Sequence, residues 1–312
     1  MTWLTGWNRR KLITVNGSTA GAQSDYQMKL TVNQSSGTDS TGVVYLGGNV
    51  LSTFNDLRFT KSDGSTPLNY WIESIVGTTP NQTSIVWIKL APSPNTIPVS
   101  PGTYSFYIYY NNSSATTSVS SGTNTFNFFS TSLWGYTGPT FGTNYAMRGL
   151  IQFTSNGPSW GFGWYSDPRI MIISNTSYDP DIRYYSTITG YDTIGESLNI
   201  NHPYKIFDII RNGTTNVIVR VDNGSERTYT NMGSDAISIA TYSTFNHLWT
   251  LVRKYISPEP TFSTIGTEET LTCGTPSANL VVLEIVSNQL LRQYPSYVDL
   301  DAISKLLDNY MW

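Results

Sequence analysis

Between residues 26 and 110 apolar and polar residues repeatedly alternate with a period of two, and that pattern leaves few folds open. Tyr26, Met28, Leu30 and Val32 alternate with Gln27, Lys29 and Thr31, and Leu68, Tyr70 and Ile72 alternate with Asn69, Trp71 and Glu73. Val86, Ile88 and Leu90 repeat the pattern, as do Tyr104, Phe106, Ile108 and Tyr110. Successive side chains of a strand point to opposite faces, so these runs predict strands with one buried face. Gly47-Gly48, Asp63-Gly64 and the Pro-rich stretch 92–101 punctuate them as turns. The expected architecture is an antiparallel β-sandwich.

Residues 113–125 are almost wholly small and polar, can bury nothing, and read as a linker that closes a first domain at 1–118 and occupies 119–125. Strands resume at Met147, Ile151 and Phe153, at Phe162 and Trp164, and at Ile170 and Ile172. The clearest unit is a meander. Tyr204 to Arg211 leads through Asn212-Gly213 into Asn216 to Val221, and Asp222-Asn223-Gly224 leads into Glu226 to Thr230. Asn-Gly and Asp-Asn-Gly supply the positive φ angles that tight hairpins need. A last strand is expected near Trp249 to Tyr255, before Pro258 and Pro260, which places a second all-β domain at 126–268.

Beyond Gly266 the pattern changes to apolar residues spaced by three and four, predicting a short helical tail over 269–312. Leu283, Val286, Leu290 and Leu291 fall on one helix face, and Ile303, Leu306, Leu307 and Tyr310 on another. Two short helices cannot hide so many apolar side chains alone, so this tail is expected to pack against another copy or another structural subunit, with folding back over a sheet as the alternative.

Composition narrows the function. The 312 residues leave room for about two domains. Only 12% are charged, against about 25% in an average soluble protein. With 18 basic and 21 acidic residues the chain offers little to a polyanion, so nucleic acid is excluded as a partner. No run of 18 apolar residues exists to form a membrane span. Cys273 is the single cysteine, which rules out an intrachain disulfide and a thiolate metal cage. The first residues lack the basic and apolar regions of a signal peptide. Together with the low charge, this favours a component of a virion or appendage, such as a spike, fibre or turret, over a secreted lectin.

Several motifs of the first domain occur together in order: Trp7-Asn8-Arg9-Arg10-Lys11-Leu12-Ile13-Thr14, Asp25-Tyr26-Gln27, Asn55-Asp56-Leu57-Arg58-Phe59, Tyr70-Trp71-Ile72-Glu73, Val86-Trp87-Ile88-Lys89 and Tyr107-Ile108-Tyr109-Tyr110. In these residues 1–118 resemble the domain of unknown function 2341, found in large surface and secreted proteins of archaea and bacteria. That family usually follows its tyrosines with Gly-Asn. Here Asn111-Asn112 stands in that turn, and Asn tolerates the left-handed conformation. The second domain resembles a concanavalin-type or laminin-G-type jelly roll, through Ile206 to Val221 with its Asn-Gly turn and through Leu251 to Pro260. The resemblance implies an extracellular or virion-surface location and a carbohydrate-binding or adhesive role.

Candidate chemistry is sparse. Gly157-Pro158-Ser159-Trp160-Gly161 fits a nucleophile-elbow pattern, but an elbow needs a following helix and Phe162-Gly163-Trp164-Tyr165 reads as strand. Glu73, Glu196, Glu226 and Glu259 form no compact pair for a glycosidase, and Glu73 reads as a solvated or ion-paired strand residue. The chain is therefore read as no enzyme, with a glycan-active hydrolase as a distant alternative. No cofactor is called for. Calcium is the one metal considered, with oxygens from Asp179, Asp181, Asp192 and Asp222-Asn223, although turn Asp and Asn usually cap their own backbone. Sequons are no more frequent than this Asn, Ser and Thr content produces by chance.

Aromatic residues carry the best ligand argument, because a sugar stacks its apolar face on Trp or Tyr while its hydroxyls seek polar partners. A Gly-rich aromatic loop around Trp134 and Tyr136, with Tyr145 and Trp164, is the expected glycan site, and the competing reading places such aromatics in the core. The expectation is a non-enzymatic, homo-oligomeric, carbohydrate-binding surface protein. A purely structural capsid or appendage module without ligand is the alternative.

Overall fold

The structure, a computed structural model, describes residues 2–132, 136–153, 159–165, 170–174, 181–186, 190–197, 204–213, 216–224, 226–230, 237–241 and 245–271. It divides into two compact units, Met1–Glu269 and Thr270–Trp312. The second lies outside the described residues apart from 270 and 271, and so does the expected helical tail with Leu283, Val286, Leu290, Ile303, Leu306, Leu307 and Tyr310.

The first unit is all-β. Its opening strands are β1 (Arg9–Asn16), β2 (Tyr26–Asn33), β3 (Val43–Tyr45), β4 (Arg58–Lys61), β5 (Tyr70–Val76), β6 (Thr83–Leu90) and β7 (Thr103–Tyr110). There follow a one-turn helix α1 (Gly122–Thr125), β8 (Phe128–Ser130), β9 (Tyr136–Phe141), β10 (Tyr145–Phe153), β11 (Ser159–Tyr165), β12 (Ile170–Ser174), β13 (Asp181–Ser186) and β14 (Gly190–Ser197). Then come β15 (Lys205–Asn212), β16 (Asn216–Val221), β17 (Arg227–Tyr229), β18 (Ile237–Thr241), β19 (Phe245–Lys254) and β20 (Thr261–Ile265).

Two sheets enclose the first core, one in the order β20-β1-β7-β4 and one in the order β3-β2-β6-β5. The alternating positions meet between them as expected: Ile13, Val15, Tyr26, Leu30, Val32, Val86, Ile88, Leu90, Phe106, Ile108 and Tyr110 form one buried cluster. Asn111 takes the left-handed conformation at φ +67°. Its N–H and that of Asn112 donate to the Asp56 carboxylate at 3.0 and 3.4 Å, which fixes the turn after β7. A third sheet, six-stranded, runs β17-β16-β15-β10-β19-β8, and a fourth, also six-stranded, runs β14-β13-β12-β11-β18-β9. The expected meander is β15-β16-β17, with Asp222 and Asn223 both at positive φ in the tight turn that joins its last two strands. Ser159 opens a strand, not the helix that a nucleophile elbow would require.

Three features depart from the expected division of the chain. Residues 119–125, read as a linker that buries nothing, are folded onto the first sandwich. Ser121 caps α1 and donates its backbone N–H to Tyr70, Ile72 donates to the Ser120 hydroxyl, and Thr125 is fully buried. Next, β20 falls inside the expected second domain but pairs antiparallel with β1, so the chain returns to complete the first sandwich. Phe262 and Ile265 pack on its core.

The third departure positions the site. The outward face of β5 and β6 is covered by the third sheet, and Trp71, Trp87, Phe126, Phe129, Trp249, Leu150 and Leu251 form a second cluster there. Trp71 meets Trp249, Phe126 and Phe129 edge-to-face at centroid distances of 5.1, 5.5 and 5.0 Å. Aromatic pairs of this geometry add roughly 0.5–1.5 kcal/mol each beyond their buried area.

Candidate functional site

Beside this aromatic cluster the covered face turns polar. In β5 the register shifts between Ile72 and Ser74, a bulge that leaves Glu73 as the extra residue. A bulge re-aims a side chain, and here it sends a carboxylate into the junction between sheets, where only 4% of it remains exposed. Opposite stands Arg148 of β10, 3% exposed. Its Nη2 and Nε donate to the two Glu73 oxygens at 3.0 and 3.1 Å, and its Nη1 donates to Asp208 of β15 at 2.5 Å. Asp208 and Arg148 are direct cross-strand partners, as are Asp208 and Arg220 of β16. Trp87 donates its indole N–H to Glu73 at 2.6 Å.

Arg253 of β19 extends the network, with its guanidinium 5.3 Å from the Trp87 ring centroid and two bonds to Glu259 at 2.6 and 3.0 Å. Tyr26 donates its hydroxyl to the same Glu259 at 2.5 Å. Gln27 ties strand to strand as well, donating to the Thr125 carbonyl and accepting from the Lys254 backbone, each at 3.0 Å. Burial opposes charge on Arg148 and Arg253, but their carboxylate partners outweigh it and hold both guanidinium groups above their ordinary pKa. Burial alone would raise the Glu259 carboxyl, yet Arg253 holds it below the usual range.

A cleft of about 340 Å³ opens onto this network, lined among others by Lys29, Trp87, Arg148, Asp208, Arg220 and Asn223. Lys29 pairs across β2 and β6 with Trp87 in the sheet register, and its ammonium lies 5.9 Å from the ring centroid. It reaches water, but the cleft walls crowd it: burial first, then the Arg148 charge, lower its pKa despite Glu73 and Asp208. Asn223 Oδ1 accepts from Arg148 Nη2 at 3.0 Å and from Lys29 Nζ at 3.5 Å. Every one of these groups sits on a paired strand or a tight turn, so the cleft is an array of donors and acceptors held in place, with Phe262 on its apolar flank.

The residues expected to bind glycan are placed elsewhere. Tyr136 opens β9 and Trp164 lies in β11, and both strands flank β18 in the fourth sheet. Tyr145 opens β10 in the third sheet, half-buried, with Phe141 at a centroid distance of 5.0 Å. Trp134 lies outside the described residues. Of the calcium candidates, Asp222 is engaged by the start of β15: one oxygen accepts from the Ile206 N–H at 2.8 Å and the other pairs with Lys205 at 3.2 Å. Asp181 and Asp192 stand on β13 and β14 but are not partners in the register, and Asp179 is outside the described residues. Among the described residues no three His, Cys, Asp or Glu side chains group to hold a metal.

Glu73, Arg148, Asp208 and Arg253 were not anticipated as a group. Their signal was present all the same: each is a charge set in an otherwise apolar strand run, as in Lys205–Asn212 (KIFDIIRN), and a charge in such a run is buried only if paired.

Comparison with known proteins agrees with part of the sequence resemblance. Residues 53–132 match the family model described as a domain of unknown function (DUF2341). The match takes in β4 to β8 with α1, and so the motifs at 55–59, 70–73, 86–89 and 107–110; those at 7–14 and 25–27 precede it. No curated protein sequence is significantly similar to the chain. Among solved structures, galectin LEC-6 of Caenorhabditis elegans aligns over 40% of this chain and 89% of its own, with 10% identity and a TM-score of 0.27. The LG1–3 region of the laminin α2 chain aligns over 85% of this chain and 61% of its own, with 8% identity and a TM-score of 0.26.

Proposed function

We propose that this chain is a non-enzymatic surface protein that binds carbohydrate in the cleft between its first sandwich and the third sheet. The observation that carries the reading is the cleft itself. Its volume of about 340 Å³ suits a small saccharide, and its polar groups are fixed in place by strands. Hydroxyls of a sugar are recognised by converging donors and acceptors held in this way, without ordering cost on the protein side. Hydrolysis is disfavoured by the same geometry. Glu73, Asp208 and Glu259 are each engaged by an arginine, and Glu259 is held ionised, whereas a glycosidase acid must keep its proton near neutral pH.

Display outside the cell fits the motif resemblance of the first domain and the low charge of the chain. A virion or appendage is the favoured carrier, with residues 279–312 as the assembly element. The aromatic set Trp134, Tyr136, Tyr145 and Trp164 is a separate candidate site.

A glycan array on the full chain tests the reading, with Asn223→Gly in the cleft and Trp134→Ala with Tyr136→Ala in the loop. Glycine keeps the positive φ of position 223 while removing its amide. Binding that falls in Asn223→Gly and persists in the loop variants supports the cleft. Binding lost only in the loop variants moves the site there, and no binding to any saccharide leaves a structural module.

A further inference from the structure

Four cations line the cleft, Lys29, Arg148, Arg220 and Arg253, and three of them are matched by carboxylates. Arg148 is shared between Glu73 and Asp208, Arg253 is paired with Glu259, and Arg220 is paired with Glu226. Lys29 makes no ion pair among the described residues. Its nearest polar partner is the Asn223 amide oxygen at 3.5 Å, and that oxygen is already held by Arg148 at 3.0 Å.

We infer that the cleft selects an acidic saccharide, one whose ring carries a carboxylate or a sulfate ester, and that Lys29 supplies the counter-charge. The inference rests on the carbohydrate reading of the cleft. The Asn223 amide oxygen marks the geometry: on an exposed turn it offers Lys29 a partial negative charge at 3.5 Å, and an oxyanion beside it offers the ammonium a full one. Lys29 is only partly relieved in the free protein, since desolvation and Arg148 outweigh Glu73 and Asp208, and an anion within reach of its ammonium offsets that penalty. The chain as a whole carries a net charge of −3, so the preference is local to the cleft and is not a general attraction for polyanions. A bare anion would leave most of the 340 Å³ empty, whereas the partly exposed Phe262 flank offers apolar surface to a ring.

The test is calorimetric titration of the full chain with matched oligosaccharides in neutral, uronate and sulfated forms, and with inorganic sulfate. Acidic forms are expected to bind at least about tenfold tighter than neutral ones, as the loss of one charge-assisted hydrogen bond implies. Rising salt should narrow the gap. Lys29→Gln should abolish the preference while Lys29→Arg keeps it, and Lys29 is exposed enough for both to fold. Neutral sugars binding as well as acidic ones, or an acidic preference unchanged in Lys29→Gln, overturns the inference and leaves the carbohydrate reading standing. Inorganic sulfate binding as tightly as the sulfated sugar overturns it too, since the ring then contributes nothing. Absence of binding in every arm removes both.

Discussion

With 3% of its side chain exposed, Arg148 depends on Glu73 and Asp208 as much as they depend on it, since taking three charges out of water is repaid only while all remain paired. Arg148→Met keeps the volume and strips both carboxylates of their partner. We expect a loss of about 3–5 kcal/mol in urea unfolding. Glu73→Gln in the same background should recover part of it, and additive losses would show that the two do not interact. His247 reports on a different burial. Desolvation holds its imidazole down at about 4 against an ordinary 6.5, its Nε2 meets the Thr250 hydroxyl, and its Nδ1 is buried without a partner. Between those two pH values the unfolded chain takes up a proton that the folded chain refuses, so stability falls as pH drops through that window. Glu259, held below its ordinary 4.5, keeps its full contribution above that pH and loses it as pH falls further. The melting temperature of His247→Gln should therefore fall less than that of the parent between pH 6.5 and 4; parallel curves would place the acid sensitivity elsewhere.

At the scale of elements, β20 has the largest consequence for its length. It hydrogen-bonds the edge of β1 from Asn16↔Thr261 to Ile13↔Ile265, and Ile256, Phe262 and Ile265 cover the first core. A chain ending at residue 118 would keep the family motifs but lose this strand, together with α1 and the third sheet that cover Trp71 and Trp87. An unpaired strand edge and a bared aromatic face are both sites of aggregation. We expect residues 1–118 alone to melt well below residues 1–271 and to associate, as seen by calorimetry and light scattering. A monomer of unchanged melting temperature would show that the first sandwich closes without β20.

For the whole molecule, the third sheet is the shared layer. Its one face carries Arg148, Asp208, Trp249, Leu251 and Arg253 toward the first sandwich, while Met147, Ile151, Phe207, Ile209, Val217, Val219 and Val252 are buried on the alternate positions. A sheet buried on both faces reads as near-continuous apolar runs, which is how β15 and β16 read. Its junction with the first sandwich is part aromatic packing and part ion pairs. The aromatic part supplies burial, and the ion pairs fix how the sheets meet and so hold the cleft at one width. The cleft exists because the polar end of that junction is not filled.

Period-two alternation, with no other information, did not mark β3 and β4 but determined β2, β5, β6 and β7 and, up to the bulge at Glu73, which of their side chains share a face. Turn chemistry did the same for the β15-β16-β17 meander and for Asn111, because positive φ is a local demand that few residues meet. What covers a face is a nonlocal matter. Nothing near Trp71, Glu73 or Trp87 in the chain says that β10 and β19, some 75 residues or more beyond Glu73, will lie against them. The same holds for β20, whose pairing with β1 spans most of the chain, and for residues 119–125, which dock through backbone and hydroxyl bonds and bury Gly122 and Thr125. Local pattern thus decided the elements, while the charged cleft was decided by tertiary packing, which brought Arg148 and Asp208 of one sheet against Glu73 and Lys29 of another.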